Sequence, residues 1–152
     1  MIPSSPPGER YKEFMAYMSQ DRKAALAPAI KAHCAKYGIK ASIAVRNHMT
    51  LVVNIKSGKL PLVNNYFDTV TPEYVRRYPN RKMPERTAYC DVNPYHAQDH
   101  FTGECRTFIL ELLRLMDIGN HDRSDIQSDY FDVGWYKSVN IGSWKQPYKV
   151  VG

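Results

Sequence analysis

Residues 40–56, KASIAVRNHMTLVVNIK, decide the fold. Ala41, Ile43 and Val45 alternate with Ser42, Ala44 and Arg46, and Leu51, Val53 and Ile55 alternate with Val52, Asn54 and Lys56. Alternation with a period of two sends successive side chains to opposite faces of a strand. Asn47-His48-Met49 separates the two runs, so they read as an antiparallel hairpin with a three-residue loop.

Working outward, the segment before the hairpin reads as a helix over about 20–37. Ser19 stands at its N-cap with Asp21 in the first turn. Leu26, Ile30, Cys34 and Tyr37 fall on one face of a 3.6-residue period, and Gly38 occupies the C′ position. Pro28 removes one intrahelical bond, which predicts a kink or two short helices. Residues 9–18 are expected to form a helical turn packing Phe14, Met15 and Met18, behind a loose Pro/Ser/Gly arm at 1–8. Residues 9–152 then make a single domain.

After the hairpin, Lys56–Lys59 reads as a turn and Leu60–Val63 as a short edge strand, the edge position being required by Pro61. Residues 64–90 are the least legible. A helix using Tyr66, Phe67, Val70, Tyr74 and Val75, broken near Pro72, precedes an exposed basic loop at 76–86 and a strand at 87–93. A second main helix, about 103–118, begins after Thr102. It carries Cys105, Phe108, Ile109, Leu112, Leu115 and Met116 as a wide apolar stripe and stops at Gly119. An acidic connection at 117–132 leads to an alternating strand at 133–141 and a final short strand at 148–151. The expected class is α+β: a small, mostly antiparallel sheet with two main helices on one face.

Composition bounds the function. The 152 residues are 43% hydrophobic and 24% charged, an ordinary globular mix. No run approaches the roughly 18 apolar residues of a membrane span. The first residues lack the apolar core of a secretory signal. Cys34, Cys90 and Cys105 have no disulfide-framework spacing, so a reduced, cytoplasmic protein is expected. The formal charge is +6 with a pI near 9.2. It divides unevenly: residues 1–90 hold 15 basic and 6 acidic side chains, and residues 91–152 hold 6 and 9. A basic half of this kind suits a polyanion.

Candidate chemistry is sparse. His48-Met49-Thr50 is one His-x-Thr module where two-histidine phosphoester chemistry needs two, so His48 reads chiefly as a turn or contact residue. His96, Asp99 and His100 form the densest ligand-like cluster, but no spacing fixes the further ligands zinc requires. A metal-dependent or phosphate-directed hydrolase using His48 or this cluster is the weakest functional reading, and no cofactor is implied.

Binding residues are better represented. Arg76, Arg77, Arg81, Lys82 and Arg86 interleave with Tyr74 and Tyr78, the pattern of phosphate contacts beside stacking rings. Arg46, Lys56 and Lys59 would extend that patch. Asp125, Asp129 and Asp132, with Trp135 and Tyr136, make an acidic, aromatic stretch suited to docking on a partner.

Lys36-Tyr37-Gly38, Ser42–Arg46, Leu51–Gly58, Asp129–Asp132 and Trp135-Tyr136 resemble small uncharacterised proteins of phages, prophages and other mobile elements. They are also distantly similar to a large polyvalent protein-associated domain. The resemblance implies an accessory, anti-defence protein in the cytoplasm of a bacterial host. Such a protein binds a host protein or nucleoprotein complex stoichiometrically, with no catalytic residue carried over. The alternative is a module that binds DNA or RNA through the basic half. Neither reading involves a membrane or fixes the oligomeric state.

Overall fold

The computed structural model describes residues 16–122 and 133–152. The expected arm at 1–8, the helical turn up to Met15, and Asp125, Asp129 and Asp132 lie outside the described residues. The elements run α1 (Gln20–Lys36), β1 (Lys40–Arg46), β2 (Thr50–Gly58), α2 (Leu62–Arg77), β3 (Cys90–Val92), α3 (Ala97–His100), α4 (Gly103–Met116), β4 (Tyr136–Ile141) and β5 (Lys149–Val150).

The hairpin organises the rest. β1 pairs antiparallel with β2 from Ala41↔Ile55 to Arg46↔Thr50. The other edge of β2 takes β4 in parallel, from Thr50↔Tyr136 to Ile55↔Ile141. After an excursion at 142–148, β5 continues along that same edge at Ser57 and Gly58. β3 closes the far side, antiparallel to β4. The class is α+β as expected, and the sheet is mixed, because parallel strands need a long crossover. The chain from α2 to α4 supplies it.

The prolines act differently from the sequence expectation. Leu62 and Val63 open α2 rather than an edge strand, and both are buried. Pro61 stands at the helix start, where a missing N–H costs nothing. Both α1 and α2 run through their internal prolines, Pro28 and Pro72. The carbonyls thereby left unpaired belong to Ala24 and Asp68, and both residues are exposed to water. Ser19 caps α1 as predicted, its Oγ accepting from Arg22 N–H at 3.0 Å. Thr102 precedes α4 without a side-chain cap; instead it exchanges two hydrogen bonds with Asn65, which ties α2 to α4.

The core lies on one face of the sheet. Leu51, Val53 and Ile55 of β2 and Val139 and Ile141 of β4 meet Ile30 and Cys34 of α1 and Phe108, Ile109, Leu112 and Met116 of α4. Each fully buried aliphatic side chain contributes about 1.5–3 kcal/mol of transfer free energy. Trp135 belongs to this core. It is 1% exposed, and its indole N–H donates to the Met116 carbonyl at 3.0 Å. The expectation of Trp135 as a surface contact is therefore corrected. Asn120 fixes the chain there, accepting from Trp135 N–H and donating to Trp135 C=O, each at 2.9 Å. Among the described residues no helix is long and apolar enough to cross a membrane.

Candidate functional site

Residues 22–67 and 133–152 contain eleven Lys and Arg and no Asp or Glu. The fold brings these two segments together. They supply α1 from Arg22 onward, β1, β2, β4 and β5, so Asp91 in β3 is the one carboxylate on a strand among the described residues. All nine acids of residues 91–152 fall within 91–132. The closing strands come from that half in sequence, yet they carry positive charge.

Five of these cations gather at one end of the sheet. Lys40, Ser57 and Lys149 lie side by side in a cross-strand row. Lys31 and Lys40 flank one hollow of about 220 Å³ between α1 and β1. The Lys59 stem packs over Gly38, whose φ of +64° suits glycine and where a Cβ would stand 2.9 Å from Lys59 Cγ. Lys56 borders a second hollow with Ser42, Ser143 and Gln146. Among the described residues only Lys137 of the eleven forms an ion pair, with Asp117 at 2.9 Å. Among the described residues the other ten cations form no ion pair.

The sheet face turned from the core carries Ser42, Ala44 and Arg46 of β1, Thr50, Val52, Asn54 and Lys56 of β2, and Tyr136, Ser138 and Asn140 of β4, by strand alternation, with Thr50 and Val52 buried among their neighbours. Asn140 donates to Asn54 Oδ1 at 2.9 Å across the strands. Two exposed rings stand at the two ends of β4, Tyr136 as its first residue and Trp144 in the turn that follows it. Tyr136, opposite Thr50, is 45% exposed. Trp144 is 74% exposed at the tip of a turn closed by two Ser143–Gln146 hydrogen bonds, and Lys145 Nζ lies 5.7 Å from its ring centroid.

The residues favoured from sequence are distributed differently. Arg76 and Arg77 both bond Glu73, at 2.6 and 3.7 Å, and Arg86 bonds Asp68 at 2.6 Å. The hydrogen bond from Arg76 holds the Glu73 carboxyl below its usual range. Arg81 stacks over the Tyr78 ring at 4.7 Å, and Lys82 is exposed. Three of the five basic residues of 76–86 are thus neutralised within the segment.

His48 occupies the hairpin turn with φ of +59°, next to Asn47 at +53°. His96 and His100 are brought together by α3, ring centroids 5.8 Å apart. Burial, and then the neighbouring His96, push the His100 pKa down. Among the described residues no three His, Cys, Asp or Glu side chains are placed to hold a metal ion. Sequence reasoning missed Lys31, Lys40, Lys145, Lys149 and Trp144. The signal that finds them is the absence of carboxylates from two separated stretches. No family model matches the chain, and no curated protein or solved structure matches it.

Proposed function

We propose that this protein binds single-stranded nucleic acid across the outer face and lysine-rich end of its sheet. The observation that carries the reading is the folding of two carboxylate-free segments into one sheet, whose Lys40, Arg46, Lys56 and Lys149 form no ion pair among the described residues. Phosphates take the place of the missing carboxylates, and each contact releases condensed counterions. Tyr136 and Trp144 supply ring faces, and base–aromatic stacking is tolerant of sequence. The face between them extends ~20 Å along β2 at ~3.3 Å per residue. Unpaired bases suit this arrangement better than a duplex, since the site offers rings and a flat sheet rather than a helix for the major groove.

The resemblance to mobile-element proteins is compatible with this reading. In that setting the protein is an accessory, anti-defence factor that reaches a host nucleoprotein complex through its nucleic acid.

Fluorescence anisotropy with a labelled oligouridylate and an oligothymidylate tests the proposal. Binding should weaken with salt, and replacing Lys40, Lys56 and Lys149 by Gln should flatten the log–log salt slope by about 0.7 per cation. Trp144→Ala should cost about 1–3 kcal/mol of binding. Affinity that is indifferent to salt and to the triple substitution would overturn it.

A further inference from the structure

α2 is fully buried only in its first turn among the described residues, with Tyr66 and Phe67 packed partly against the core. Leu62 and Val63 are its buried residues, and Asn65 bonds Thr102. Beyond that turn the apolar side of the helix, with Tyr66, Phe67, Val70 and Tyr74, is incompletely covered. α3 and the stretch around Met83 and Pro84 stand opposite, leaving a groove of about 900 Å³. That is the size of a small-ligand site, and uncovered apolar surface of this kind marks a place where something docks.

Three features specify the occupant. The walls are rings: Tyr66 and Phe67 lie 5.1 Å apart, as do Tyr74 and Tyr78. Such surfaces accept a planar ring in offset or edge contact. The nearby cations without an ion pair among the described residues are Arg81, stacked on Tyr78, and Lys82. They favour an anionic group at the rim. Asp99 borders the groove beside His100, and its exposed carboxylate forms no ion pair with a Lys or Arg among the described residues. It is an acceptor awaiting N–H donors.

We infer that this groove binds a nucleoside monophosphate, its base among the rings, its phosphate toward Arg81 and Lys82, and its donor edge on Asp99. Two adjacent N–H groups on one edge match a carboxylate, so guanine is preferred to adenine. Burial favours the neutral imidazole of His100, so that residue adds a ring rather than a charge to the wall. The site is separate from the outer sheet face, and the inference does not rest on nucleic-acid binding there.

Titration calorimetry with GMP, AMP and ribose 5-phosphate tests it. GMP should bind more tightly than AMP, and ribose 5-phosphate should bind least. Tyr78→Ala and Arg81→Gln should each weaken GMP by about tenfold, while Asp99→Asn should erase the preference for guanine. Tyr78 and Arg81 are exposed, so an unchanged circular dichroism spectrum is expected for both variants. A 5′-phosphorylated trinucleotide identifies the source. If Tyr78→Ala weakens GMP alone, the ligand is the free nucleotide; if it weakens both, the groove also takes the first nucleotide of a strand. Either result supports the site. The inference fails if GMP does not bind at millimolar concentration, or if its binding survives Tyr78→Ala and Arg81→Gln. It fails equally if GMP binding is lost instead on Trp144→Ala and Lys56→Gln, which would place the nucleotide on the sheet.

Discussion

The sheet with α1 and the α2–α3 region are both rich in basic residues, yet they treat charge in opposite ways. Residues 62–100 hold five Lys and Arg and five Asp and Glu. Glu73 stands three and four residues before Arg76 and Arg77, the spacing at which helical side chains meet. Those cations are satisfied before any ligand arrives. In the sheet no strand neighbour offers a carboxylate except Asp91, and β2 at the centre is acid-free. The number of cations in a segment therefore says less about free charge than the position of the nearest acid. A cluster that looks dense in sequence can be closed in space, while lysines scattered over 120 residues can converge.

The two regions also differ in how they are held, and the largest expected effect tests that difference. Trp135→Ala removes a fully buried indole from the body of the protein and should cost about 3–5 kcal/mol in urea denaturation. Asn120→Ala should cost about 1–3 kcal/mol, because Trp135 N–H and C=O lose their partner together. Tyr78→Ala, at the edge of the groove, should change stability by less than about 1 kcal/mol. If the indole and Tyr78 prove equally costly, the contrast between a packed body and an open appendage is wrong.

Legibility followed the same division. The hairpin, α1 and α4 could be read because one face of each is buried against a core, which imprints a period of two or 3.6 on the sequence. α2 has only Leu62 and Val63 buried, so tertiary packing left little pattern along its remaining turns. Pro61 then misled the reading: a proline that excludes a central strand is equally at home starting a helix. The parallel pairing of β2 with β4 was hidden for another reason. Alternation reports faces, not the direction of the neighbouring strand. Trp135 sits beside Tyr136 in the most aromatic stretch of the chain, yet one ring is 1% exposed and the other 45%. Composition cannot separate them; the register of β4 does.

Alkaline titration probes the body next. Burial pushes Cys34 and Cys105 up to about 11 and Cys90, helped by Asp91, up to about 12; burial and then Cys105 raise Tyr148 as well. These groups are protonated in the folded protein over a range where the unfolded chain releases the proton. The unfolded state then binds fewer protons, so stability is fully present below about pH 9 and falls as pH rises through 9–12. Urea midpoints measured from pH 7 to 11 should be flat at first and then decline. The three thiols should also resist alkylation at pH 8 until the protein is unfolded, since the thiolate is the reactive form. Rapid native-state labelling at Cys34 would mean that α1 is not seated on the sheet as described.

The smallest expected effect concerns His48, where a backbone role and a chemical role give opposite results. Its φ of +59° lies in the left-handed region that glycine enters without a Cβ penalty. Its carbonyl accepts Met18 N–H at 2.7 Å, a bond that any residue at this position keeps. The imidazole is exposed and has no hydrogen-bond partner among the described residues. His48→Gly should therefore raise stability by about 0.5–1 kcal/mol, partly offset by greater freedom in the unfolded chain, and His48→Ala should lower it by a similar amount. Both variants should leave oligonucleotide binding and its salt slope unchanged, because His48 lies in the turn, outside the strands that carry the binding face. Loss of binding in His48→Gly with stability retained would extend the contact from Tyr136 and Arg46, at this end of the face, onto the turn itself.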